Sequence, residues 1–246
     1  MYSLLVYCAL FLSIFLYSAV VFVPYLFVLL LPVAKRGHCM RFLTLWLGKM
    51  AVLFGFRPFV RINYIDMTDD NDAGIYVCNH RAASDAFLMS VFGKEAVQVV
   101  NGWPMKLPFF GFNARMSEYI DSTRTTLEEF RDKVKELTAR QVSVIAFPEG
   151  TRSGSTRMGV FHSSIFRLAM ELQLPVYPVC IAGNENFPDR AFRFHKTREI
   201  QIRRLPPLCP AEYNSFPSAY VFKKKVHDRI MQACAEMDAQ ITAGKP

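Results

Sequence analysis

The sequence predicts an α/β fold, a mixed, largely parallel sheet flanked by helices, with an N-terminal apolar membrane-embedded helical segment. Three observations carry that reading. Residues 1–34 contain no charged side chain. From residue 58 on, short β-type runs alternate with helical ones, the order expected when strands are joined by crossover helices. The chain has 246 residues, enough for one sizeable core with an appendage. The expected division is a membrane-anchoring helical region over residues 1–59 and an α/β domain over residues 60–246.

The first element is "MYSLLVYCALFLSIFLYSAVVFVPYLFVLLLPVA". A helix of about 20 apolar residues spans a bilayer, and this run is longer. No Lys or Arg precedes it, as one would in a secretory signal. Lys35, Arg36 and Arg41 follow it at once, which keeps the following domain on the cytoplasmic face if the run spans. Pro24 removes one helical hydrogen bond, so the run reads as a kinked span or as a re-entrant pair of short helices. A buried soluble hairpin fits less well, because few globular helices are apolar on all faces. Residues 42–59, "FLTLWLGKMAVLFGFRPF", mix Lys49 and Arg57 into apolar residues. They read as an interfacial amphipathic helix broken near Gly55 and anchored by Trp46, or equally as a core helix.

The domain elements follow in order. "VRINYI", "IYVCN", "AVQVV", "EYID", "VSVIAF", "VYPVCIA" and "IQIRR" read as strands. Residues 125–140 read as a helix opened by a capping box, Thr126 with Glu129. Residues 164–173 and 218–240 read as further helices.

Composition narrows the partners. Hydrophobic residues make up 52% and aromatics 14%, with 22 Phe, and the formal charge is +8. Such a chain meets lipid or a long apolar ligand and seeks phosphates. Lipid headgroups, coenzyme phosphates or an acidic carrier protein suit it. Nucleic acid does not, since no zinc-finger spacing or RNA-binding signature occurs. The six Cys form no CxxC pair and read as reduced thiols.

Two stretches carry chemistry. In "CNHRAASDAF" (78–87), His80 falls on the turn from a strand to a helix, at the strand edge where α/β proteins bind ligands. Five residues on a regular helix would hold His80 and Asp85 apart. They meet only if His80 precedes the helix, with Ser84 as its N-cap, and folds back over the first turn. Asp85 can then fix the imidazole tautomer and leave the other nitrogen as a base. Taken alone, the pair reads more readily as a structural His bonded to a nearby Asp. No GxSxG, HExxH, Walker A or GxGxxG occurs, so neither a serine nucleophile nor a metal is expected. The second stretch, "VSVIAFPEGTRS" (142–153), is a buried-type strand running into a loop. Glu149 can accept from a hydroxyl, Gly150 allows close approach, and Arg152 offers a fork for phosphate. A surface ion pair is the rival reading of those charges, the lesser one once the stretch is paired with the His80 motif.

"NHRAASD" resembles the NHxxxxD motif of the glycerolipid acyltransferases, and "FPEGTRS" resembles their second motif. "LPVYPVCIAG" (174–183) is similar to their later Pro-containing block. The likeness runs from about residue 60 to 185, closest to the 1-acyl-sn-glycerol-3-phosphate acyltransferases. It implies acyl transfer from acyl-CoA or acyl-carrier protein, as co-substrate and without a cofactor, to a lysophospholipid acceptor drawn from membrane lipids. It implies His80 as base, Asp85 as its orienter, and Glu149, Gly150, Thr151 and Arg152 as the acceptor-binding loop. The implied location is a membrane, a bacterial inner membrane, with the catalytic domain cytoplasmic. The chain departs from that branch at two places. "MSEYIDS" (116–122) has Met116 and Ser122 where GxxFIxR has Gly and Arg, and Arg124 is the expected substitute. "FHSS" (161–164) has His162 and Ser163 where FKKG has lysines. The basic stretch Arg190–Arg204 either compensates for these losses or is solvated surface. A lysophospholipid of another headgroup, a membrane-bound thioesterase or lipid hydrolase, and a silent lipid-binding protein are the rival readings.

Overall fold

The structure, a computed structural model, describes residues 1–70, 72–106 and 108–244. In chain order its elements are α1 (Tyr2–Leu29), α2 (Val33–Met50), β1 (Arg61–Asp66), β2 (Ile75–Cys78), α3 (Asp85–Leu88), β3 (Ala96–Val100), α4 (Pro108–Met116), β4 (Ile120–Asp121), α5 (Leu127–Ala139), β5 (Ser143–Ala146), α6 (Ser164–Leu172), β6 (Val176–Ala182), β7 (Glu199–Arg204), α7 (Pro210–Tyr213) and α8 (Ala219–Ala243). All seven expected strands are present. The expected helices are α5, α6 and α8. The helix α4 was not expected, although Pro108 opens it, a position where Pro is favoured.

The chain divides into two compact units. One holds residues 3–59 and 86–144, the other residues 60–85 and those from 145 on. In the first, α1 is one 28-residue helix with Pro24 inside it, about 42 Å long, not a pair of short helices. A short turn leads into α2, which runs on into a π-type turn, Ala51–Phe56. The two helices run antiparallel. The Tyr17 hydroxyl donates to the Leu43 carbonyl at 2.7 Å, and a Cβ on Gly55 would lie 3.0 Å from the Leu10 Cα. Gly55 thus serves close backbone approach near the end of the helical run. Tyr2–Leu29 and Lys35–Phe56 are each long and apolar enough to cross a membrane. Phe11, Phe15, Phe27, Phe42 and Phe54 are exposed along them.

The other face of α2 is polar and packed. Buried Arg41 donates through Nε to Glu95 at 2.7 Å and through Nη1 to Glu118. Glu118 also accepts from Lys133 at 2.7 Å and from Arg140 at 2.8 Å. Burial pushes the Glu118 carboxyl up, but the hydrogen bonds and charges of Arg140, Lys133 and Arg41 outweigh it and hold it at about 2, against an ordinary 4.5. A depressed folded-state value means stability that is present above the ordinary value and lost as pH falls through the folded one. Thermal stability in detergent should therefore drop between pH 4.5 and about 2, and Glu118→Gln should flatten that part of the profile.

In the second unit the strands lie in the order β1-β7-β6-β2, followed by β5. In the first unit β3 and β4 are neighbours. The pairs β1–β7, β2–β6 and β3–β4 are parallel, and β6–β7 is antiparallel. Every residue of β2, β5 and β6 is buried, as continuous apolar strands with both faces covered require. The long helix α8 packs on β6 and α6, with Phe222, Val226, Ile230 and Met237 buried along it. The side chain of Ser218 accepts from the Val221 N–H at its start.

Candidate active site

The site grows out of the carboxyl end of β2. There the Asn79 side chain continues the sheet, donating to the Ile181 carbonyl at 2.9 Å and accepting from the Ile181 N–H at 2.8 Å. Its buried amide replaces the next ladder step, and the main chain turns away. His80 follows on that turn, and Asp85 opens α3. Nδ1 of His80 lies 2.7 Å from Oδ2 of Asp85. Asp85 has no solvent exposure. It accepts from the Arg81 N–H at 2.8 Å, the Ala82 N–H at 3.0 Å and the side-chain amide of Asn184. With only donors around it, Asp85 acts as an acceptor, so the His80 proton sits on Nδ1 and Nε2 carries the free lone pair. No described residue hydrogen-bonds Nε2. The ring packs on Phe147, centroids 4.5 Å apart, and remains 20% exposed, so a substrate can reach it.

Ser84 is buried beside the pair. Its hydroxyl accepts from Asn184 at 3.2 Å. Asn184 therefore touches both Ser84 and Asp85 from the end of β6, a role that nothing local in its own stretch of sequence marks.

The loop after β5 meets the same turn. The Ser153 N–H donates to the His80 carbonyl at 2.8 Å, and the Gly154 N–H to the Arg81 carbonyl at 3.1 Å. Glu149 is buried, and each carboxylate oxygen holds a backbone amide. Oε1 accepts from the His80 N–H and Oε2 from the Gly159 N–H, both at 2.7 Å. Burial keeps its carboxyl above the usual range even though those two amides and the His80 ring pull it down. Glu149 thus clamps the His80 turn to the loop at Gly159. Gly150 has φ +71°, and a Cβ there would lie 3.3 Å from Nε2 of His162. The position needs glycine for its backbone. Thr151 is exposed.

Arg152 has a buried Nη1 that hydrogen-bonds no described residue, while its guanidinium lies over the Phe192 ring at 4.5 Å. A buried donor without an acceptor is costly unless a ligand supplies one. Arg124 belongs to the first unit. It is exposed and lines a cavity of about 670 Å³ with Lys106, Arg115 and Lys133, and its nearest carboxylate is Asp121 at 3.9 Å. The basic stretch Arg190–Arg204 divides. Arg190 donates to the Arg152 carbonyl at 2.8 Å, whereas Arg204 is buried and tied to Asp66 at 2.6 Å.

Arg81 is a further residue whose role only the fold reveals. It is buried and forms a two-pronged pair with Asp238 of α8, both contacts 2.7 Å, with Glu185 at 3.3 Å. That pair fixes α8 to the residue next to His80. Among the described residues no group of three or more His, Cys, Asp and Glu side chains is placed to hold a metal ion.

Set against known proteins, residues 59–182 match the family model described as Acyltransferase. The chain is 27% identical over 160 residues to the 1-acyl-sn-glycerol-3-phosphate acyltransferase of Limnanthes alba, covering 63% of this chain and 56% of that one. It is 28% identical over 218 residues to the enzyme of the same name from Escherichia coli, covering 85% and 82%. The chain thus spans little more than half of the plant relative and most of the bacterial one. Its fold is that of the 1-acyl-sn-glycerophosphate (LPA) acyltransferase PlsC from Thermotoga maritima, with a TM-score of 0.72, 22% identity, and coverage of 93% and 94%.

Proposed function

The chain belongs to the acyltransferase family, and on that premise we propose that it moves a fatty acyl group to the free hydroxyl of a lysophospholipid. The acceptor is 1-acyl-sn-glycerol-3-phosphate and the product phosphatidic acid, as the names of the relatives suggest. The observation that carries the chemistry is the imidazole held through Nδ1 by Asp85, with Nε2 left basic. Nε2 takes the proton of the acceptor hydroxyl as the oxygen attacks the thioester carbonyl. The carbon–sulfur bond then breaks, and the imidazolium returns the proton to the leaving thiolate. The donor is the thioester of CoA or of acyl-carrier protein. It is already activated, so the reaction needs no cofactor and no covalent enzyme intermediate.

The exposed apolar faces of α1 and α2 support a membrane-bound protein with a cytoplasmic catalytic domain. The positive charges at Lys35 and Arg36 support that orientation. Purified protein in detergent, given both donors against a panel of lysolipids, tests the acceptor. Diacyl product from lysophosphatidic acid alone is the expected result. Free fatty acid in place of diacyl lipid would make the protein a thioesterase.

Within this reading Arg152 holds the acceptor phosphate, because its buried Nη1 lacks a partner among the described residues. Arg152→Ala should raise the KM for lysophosphatidic acid far more than that for the acyl donor. Losing a charged hydrogen bond costs about 1.5–3 kcal/mol, roughly ten- to a hundredfold in kcat/KM. Arg124→Ala should show a weaker form of the same defect. The measurement is steady-state kinetics with each substrate varied in turn, and a defect confined to the donor would assign Arg152 to the phosphates of CoA or the carrier.

A further inference from the structure

Phe192, in the loop after β6, has a φ of 60°. That left-handed conformation is costly for a bulky side chain and persists only where its surroundings impose it. Here Asp189 imposes it. The Phe192 N–H donates to the Asp189 carbonyl at 3.0 Å, and the Asp189 N–H to the Arg193 carbonyl at 3.0 Å. The Asp189 carboxylate accepts from the Arg193 N–H at 2.8 Å and lies 2.7 Å from Nε2 of His195. This closed turn brings the Phe192 ring to 4.5 Å from the Arg152 guanidinium. The same turn supplies Arg190, whose Nη2 donates to the Arg152 carbonyl at 2.8 Å. Arg152 is therefore gripped at both its backbone and its side chain.

An aromatic ring over a guanidinium limits its swing yet makes no hydrogen bond of its own. The N–H donors stay available, and Nη1 finds no acceptor among the described residues. We propose that Phe192 is a positioning residue, holding Arg152 so that its guanidinium N–H donors receive a phosphate oxygen of the substrate. The inference rests on Arg152 as a phosphate ligand and adds what pre-aligns it. The strained backbone at Phe192 is explained by this task, since a relaxed turn would carry the ring off the guanidinium.

The test is a kinetic series on the full chain in detergent with Phe192→Gly, Phe192→Tyr, Arg152→Ala and the double variant. Glycine suits the left-handed backbone, so the melting temperature of Phe192→Gly should not fall. Its KM for lysophosphatidic acid should nevertheless rise about three- to tenfold, the scale of a lost cation–π contact, with kcat nearly unchanged. Phe192→Tyr should behave as wild type, and the double variant should be no worse than Arg152→Ala alone. The same rise confined to the acyl donor would keep the role of Phe192 and move the phosphate to the donor. If Arg152→Ala raises a KM and Phe192→Gly leaves both unchanged, Phe192 does not position Arg152. If neither variant affects either substrate, Arg152 is not a phosphate ligand at all.

Discussion

Acyl transfer by the His80→Ala variant is expected to fall about 10²–10⁴-fold, the usual contribution of a well-placed general base. The variant should fold, because the ring is partly exposed and its buried partner Asp85 keeps three other donors, from Arg81, Ala82 and Asn184. Asp85→Asn should also cost much of the rate, though less than His80→Ala. An amide there turns one acceptor into a donor, so it would face either the imidazole N–H together with the amides of Arg81 and Ala82, which all meet Oδ2, or the side-chain amide of Asn184 at Oδ1. It would also lower stability, since Asp85 is wholly buried. Circular dichroism with turnover under saturating substrate separates the two effects. Wild-type turnover by a folded His80→Ala sample would remove His80 from the chemistry.

Glu149→Ala should come next in size. It strips the acceptor from two backbone amides, at His80 and Gly159. Each orphaned buried donor costs about 1–3 kcal/mol. A shift of the His80 turn by about 1 Å is enough to lose roughly a hundredfold in rate. Glu149→Gln should not rescue the rate, because both oxygens face N–H donors and an amide nitrogen at either would meet a donor. A residue that only contacted the acceptor would instead raise KM and leave stability alone. Parallel melting curves and kcat values for Ala and Gln decide between these roles, and an unchanged melting temperature in both would discard the clamp.

What the sequence reveals here is what is encoded locally. Short runs of β-branched and aromatic residues mark the strands because their period and composition need no distant partner. The capping box at Thr126 and Glu129 closes within one turn. His80 and Asp85 are five residues apart, so their meeting can be argued from helix geometry. The clamp formed by Glu149 is hidden because its donors lie 69 residues before it and ten after it. The support of Asp85 by Asn184 spans 99 residues, and the anchoring of Arg81 by Asp238 spans 157. No periodicity records such contacts. Phe192 is hidden for another reason: a left-handed backbone position suggests glycine, asparagine or aspartate, and a phenylalanine there gives no turn signal. The helix α4 lies in an aromatic stretch where Pro and Gly suggest loop more strongly than helix.

The most direct test of the account follows the fate of a labelled acyl chain. Purified protein is given acyl-CoA or acyl-carrier protein carrying the label, with lysophosphatidic acid present or absent. Labelled phosphatidic acid should appear only with the acceptor, and about 10²–10⁴-fold more slowly from His80→Ala. Label released as free fatty acid at the same rate with and without acceptor would contradict it.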